Sequence, residues 1–174
     1  MLKKVLIASD IHGNSTNFEK VYQAFYNEGC DMMILLGDIF TSTYSKSSYD
    51  VDIEKMLNKL ANNLIIVKGN CDGELAYDAS PVGLLNVYEF KMGNKNIICY
   101  HGHIDYSQLL GYDIYLHGHS HHFLFEKDDD GKIFLNPGSV GFPRDGTIGT
   151  YMILSRKHVT ILDIDNNVIL EENI

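Results

Sequence analysis

The chain has 174 residues, 45% hydrophobic and 21% charged, a balance that excludes disorder and fits one globular domain over residues 1–174. Three scattered cysteines (Cys30, Cys71, Cys99) form neither a disulfide framework nor a zinc ribbon. A net charge of −9 without a basic stripe disfavours long nucleic acid as a partner, and no apolar run approaches the roughly 20 residues of a membrane span.

Residues 3–8 open with two lysines and a short apolar run that superficially resembles a signal peptide. The run is too short and leads into Ser9-Asp10 without a small-residue cleavage site, so it reads as a first strand and the protein as cytoplasmic. Its unbroken apolar character predicts a strand covered on both faces. Phe18, Val21, Ala24 and Phe25 predict a helix over 14–29 that stops at Gly29. A second strand follows at 31–36, running into Gly37-Asp38. Val51, Ile53, Met56, Leu57 and Leu60 predict a helix over 50–62, and residues 64–67 a third strand closed by Lys68-Gly69-Asn70. This order predicts a parallel sheet with helices packed on it.

The second half is richer in strands. Residues 87–92 and 96–100 flank Gly93-Asn94 as a hairpin. A short helix at 106–110 leads to a strand at 114–116. Residues 123–126 and 132–135 form a second hairpin around Asp128-Asp129-Asp130-Gly131. That acidic triplet reads as a solvated turn tip, because the twelve-residue calcium-loop pattern is absent. Strands at 149–154, 158–164 and 168–170 finish the chain.

The polar residues that stand out share one location, the ends of predicted strands. Asp10 and His12 follow the first, Asp38 the second and Asn70 the third; His101 follows the strand ending at Tyr100, and His117, His119 and His121 follow the strand at 114–116. Ligand sites of open α/β sheets lie at the carboxyl ends of strands. Imidazole, carboxylate and amide oxygen together suit Mn, Fe, Co, Ni or Zn better than calcium. Two aspartates and four histidines exceed the needs of one tetrahedral ion, whereas two ions sharing a carboxylate would use them all.

The succession Asp10-Ile11-His12-Gly13, Gly37-Asp38, Gly69-Asn70-Cys71-Asp72, His101-Gly102-His103 and Gly118-His119-Ser120-His121 resembles the calcineurin-like metallophosphoesterase family. With Asn136-Pro137-Gly138-Ser139 it resembles more narrowly the small YfcE-type phosphodiesterases, across essentially the whole chain. The resemblance implies a four-layer α/β/β/α sandwich. It implies two divalent cations, Mn foremost with Ni, Co, Fe, Zn or Mg as substitutes. Asp10, His12 and His121 would hold the first, Asn70, His101 and His119 the second, and Asp38 would bridge them and hold the hydroxide that attacks a small phosphate diester. A homo-oligomer is a further implication on which the sequence is silent.

Several points stay open at this level. His103 either touches substrate or orients a ligand. His117 divides between packing and coincidence, and His122 reads as structural. Arg144 reads as a surface arginine, with phosphate contact as the rival. Larger relatives carry a proton-donating histidine where Cys71 stands, so this thiol is either a weak acid or a small filler. Substrate choice is assigned to 41–49 and 72–84. A phosphomonoesterase or nucleotide pyrophosphatase would use the same site, and a non-catalytic scaffold of the same fold is the rival from another class.

Overall fold

The computed structural model describes residues 2–40, 49–104, 110–144 and 146–174. In them β1 (Lys4–Ala8), β2 (Met32–Leu35) and β3 (Leu64–Val67) pair in parallel, with α1 (Ser15–Asn27) and α2 (Val51–Leu60) as crossovers. Both helices start where the sequence places them, because the Asn14 and Asp50 side chains accept the Asn17 and Asp52 backbone N–H groups. Val51, expected on the apolar face of α2, is instead exposed.

β1 is apolar throughout because alternate residues enter different cores. Leu6 and Ala8 join Phe18, Val21 and Leu57 beneath the helices, while Val5 and Ile7 join Ile97, Cys99 and Met152 between the sheets. Two elements were not foreseen: α3 (Glu74–Ala79) and β4 (Leu84–Leu85), the latter parallel to β3. With six residues and no capping side chain at Gly73, α3 is too short to display a helical period.

The expected hairpins are present as β5 (Val87–Met92) with β6 (Lys95–Tyr100) and β8 (Phe123–Lys127) with β9 (Ile133–Pro137). With β7 (Ile114–Leu116) they make a five-stranded sheet ordered β5-β6-β7-β9-β8. β10 (Thr150–Ser155), β11 (His158–Asp163) and β12 (Val168–Asn173) return to the first sheet, β10 lying antiparallel to β1. That sheet is ordered β12-β11-β10-β1-β2-β3-β4. The fold is thus the expected mixed α/β type, two sheets face to face and flanked by helices. The helix expected over 106–110 lies, except for Leu110, outside the described residues. Asp129 and Asp130 are exposed at the β8–β9 turn, as expected of a solvated tip. No helix of the described residues is long and apolar enough to cross a membrane.

Candidate metal centre

Backbone hydrogen bonds tie the loop after β1 to that after β2, and the loop after β6 to that after β7. Asp10 N–H donates to Gly37 O (3.0 Å), His12 N–H to Asp38 O (3.0 Å) and Gly118 N–H to His101 O (2.8 Å). The contact between the β2 and β3 loops requires glycine, since a Cβ on Gly37 would lie 2.5 Å from Gly69 N. Backbone strain concentrates here as well. Of the six described non-glycine residues with positive φ, five are Asp10 (54°), His12 (48°), Asp38 (53°), His119 (67°) and His121 (63°). Such conformations persist only where the surrounding structure over-determines them.

The side chains so placed form two donor triads: Asp10 with His12 and His121, and Asp38 with His101 and His119, each with its ligand atoms within 4.8 Å of one another. A third group overlaps both, joining His12, Asp38 and Cys71. Asp38 Oδ2 stands 3.8 Å from His12 Nε2 and 3.5 Å from His101 Nε2, between the triads. Asn70 Oδ1 lies 3.1 Å from His101 Nε2.

Three observations fit this pocket to cations. The buried Asp10 Oδ1 has no hydrogen-bond partner, although His121 Nε2 is 3.3 Å and His12 Nε2 3.7 Å away. A fully buried carboxylate oxygen left in that state needs a positive charge. His101 Nδ1–H donates to Leu36 O and His121 Nδ1–H to Phe142 O, each at 2.6 Å, which leaves both Nε2 atoms as acceptors facing inward. His12 Nε2 and His121 Nε2 are 3.2 Å apart, a close approach that a shared cation explains.

Charge coupling follows the same pattern. Burial opposes ionisation of Asp10 and Asp38, yet neighbouring imidazoles (His12 and His121 for Asp10, His101 for Asp38) hold both carboxyls below the usual range. The adjacent Asp10 carboxylate raises His121. Asp38 raises His101 against the effect of burial. Burial, then the charge of His101, lowers His103 and His119.

The structure adds supporting residues that motif reading did not assign. Asp72 is buried and takes three backbone N–H groups: Asp38 and Gly69 on Oδ2, both at 2.8 Å, and Ile39 on Oδ1 at 2.9 Å. One carboxylate therefore fixes both loops that carry Asp38 and Asn70. Ser139 Oγ donates to Asp10 O (2.8 Å) and accepts Phe142 N–H (2.8 Å). Asn136 Nδ2 donates to Gly118 O (2.9 Å) and Ser120 Oγ (3.1 Å), bracing the turn that presents His119 and His121. The Asn136 to Ser139 segment is thus a brace. The signal for Asp72 was its place in Gly69-Asn70-Cys71-Asp72.

The remaining candidates separate clearly. The His103 ring stands 5.3 Å from His101 and 6.3 Å from His119, beside the cluster but outside both triads. His117 stacks on Tyr100 at 5.8 Å, a packing role. His122 is exposed and pairs its Nδ1 with Ser120 O. Arg144 is exposed, its backbone N–H bonded to His121 O. Of the segment 41–49 proposed for substrate choice, only Tyr49 lies within the described residues.

The model of the calcineurin-like phosphoesterase superfamily domain matches residues 4–158. Phosphodiesterase YfcE of Escherichia coli strain K12 is 26% identical over 181 residues, covering 98% of this chain and 97% of the relative. The solved structure of the E. coli phosphoesterase Yfce superposes with a TM-score of 0.87 at 25% identity, covering 98% of this chain and 99% of that one. Vacuolar Protein Sorting 29 from Cryptosporidium parvum shares the fold, with a TM-score of 0.68 at 20% identity and coverage of 99% and 98%.

Proposed function

Because this chain belongs to the calcineurin-like phosphoesterase superfamily and is a metal-dependent phosphoesterase, we propose that it hydrolyses small phosphate diesters at a pair of divalent cations. The observation that carries this reading is the buried, unpartnered Asp10 Oδ1 facing two imidazole nitrogens beside a second triad that shares no residue with it. Asp10, His12 and His121 would hold one ion, Asn70, His101 and His119 the other, and Asp38 would serve both. Bound there, such ions act as Lewis acids on a phosphoryl oxygen and make water nucleophilic near neutral pH. Mn heads the candidate metals, with Ni, Co, Fe, Zn and Mg behind it. Every one of the seven positions carries a competent donor, which weighs against the scaffold reading despite the fold shared with Vacuolar Protein Sorting 29.

The chain's own groups define the rest of the chemistry. Leu36 O and Phe142 O lock the imidazoles of His101 and His121 by accepting their Nδ1–H protons. Cys71 N–H donates to Asp38 Oδ1 at 2.7 Å, which leaves Oδ2 for the site. Proton delivery to the leaving group is weak. Burial and the Asp38 carboxylate push the Cys71 thiol up to about 12, far from the neutral value that suits a general acid. This favours diesters whose leaving group needs little protonation, such as aryl esters, and leaves His103 as the nearby ring able to assist others.

Two measurements test this reading. Protein stripped by chelator is expected to be inert towards bis-p-nitrophenyl phosphate and to regain hydrolysis on loading with Mn or Ni; inertness after both loadings would refute the assignment. Cys71→His is expected to improve turnover of diesters with poor leaving groups relative to aryl diesters, by about tenfold or more. An unchanged ratio across leaving groups of rising pKa would remove the acid argument.

A further inference from the structure

Beside the metal centre lies a cavity of about 190 Å³ lined by Lys68, Asn86, His101, Gly102, His103 and Ile104. It shares His101 with the cluster, and His101 Nε2 faces Asn70 Oδ1 and Asp38 Oδ2. Its volume is below the range of a whole-ligand pocket, and suits one substituent of a ligand held at the metals. A larger hollow bordered by Tyr49, Glu54, Leu75, Asp78 and Ala79 shares no residue with the site.

The charge of this cavity is unlike that of the protein. The chain carries −9 overall, yet among the described residues no carboxylate lines the cavity. Lys68 is fixed at its backbone, whose N–H donates to Leu85 O at 2.7 Å. Its ammonium lies 5.5 Å from the Tyr77 ring, and among the described residues no carboxylate pairs with it. An ammonium offers three donors and no acceptor, and Asn86 and His103 add further hydrogen-bonding groups at the rim. A phosphate diester brings one negative charge, which the metal centre would take up. A cation set to one side is then left to meet a second anion.

Building on the metal-centre reading above, we propose that Lys68, with Asn86 and His103, forms an anion subsite, and that the preferred substrates are phosphodiesters carrying a second anionic group, a phosphoryl or a carboxylate. Lysine acts here as a point charge rather than a bidentate fork, so it holds either anion.

The test is calorimetric titration of the Mn-loaded protein with hydrolysis-resistant probes. These are propylphosphonate, α,ω-diphosphonates with spacers of two to five carbons, and the matching phosphono-carboxylates. At least one two-anion probe is expected to bind about tenfold more tightly than propylphosphonate, the effect of one charge-assisted contact. Lys68→Met is expected to bring that ratio towards one, and Lys68→Arg to retain it. A gain shared by the phosphono-carboxylates assigns the subsite to anions in general, and a gain confined to diphosphonates assigns it to phosphoryl groups. A ratio near one throughout the wild-type series, or one undiminished in Lys68→Met, overturns the subsite while propylphosphonate binding upholds the metal centre. Failure of every probe to bind overturns both.

Discussion

Asp38→Asn is expected to lower kcat/KM for bis-p-nitrophenyl phosphate by roughly a thousandfold or more, about 4 kcal/mol of transition-state stabilisation. Asp38 Oδ2 is the carboxylate oxygen placed between His12 and His101, so the substitution removes the one negative charge available to both triads. Asparagine is the informative choice. The φ of 53° at this position is tolerated by Asn far better than by Ala, and an amide oxygen can still accept Cys71 N–H. The fold is therefore preserved while the charge is lost, and the Mn content should fall together with activity. Activity within tenfold of wild type would show that Asp38 does not join the two triads.

Asp72→Asn is expected to cost about 3 kcal/mol of stability in the metal-free protein, read by urea unfolding. For a chain of this size that corresponds to a fall in Tm of roughly 6–12 °C. The carboxylate accepts three backbone N–H groups, and an amide turns half of that acceptor into a donor facing them. The full cost of three charge-assisted bonds is not expected. Burial already raises the Asp72 carboxyl, with the Asp38 charge adding to it, so its ionised form is itself expensive to keep. Because Asp72 never reaches the donor triads, a stability loss accompanied by weakened metal binding marks a positioning role. A change below about 1 kcal/mol would mean that the β2 and β3 loops are held by other contacts.

Much of the site was legible because its chemistry is local in sequence. Asp10, His12, Asp38, Asn70, His101, His119 and His121 each follow a strand whose apolar run is easy to read, and the structure brings all of them together. The first sheet was legible for the same reason, since Val5 to Ala8 is buried on both faces. Less visible was what depends on distant partners. Nothing in residues 150–173 says that β10 pairs with β1 rather than with β9, because an antiparallel strand reads alike in either sheet. α3 and β4 are too short for a periodic signal. Asp72 and Ser139 act through backbone groups, and a side chain that satisfies backbone leaves no pattern in its neighbours. The left-handed backbone at His12, His119 and His121 had no signal either, since histidine gives little hint of positive φ. Lys68 carries no signal in the sequence, because its significance lies in having no carboxylate partner among the described residues.

The measurement that bears most directly on the account is the metal content of the purified wild-type chain, determined by elemental analysis after saturation with Mn and removal of unbound ion. Two ions per chain are predicted, falling below one in Asp38→Asn. A wild-type chain that retains no Mn, Ni or Co after saturation would contradict the metal centre outright, and a single tightly held ion would contradict the paired site.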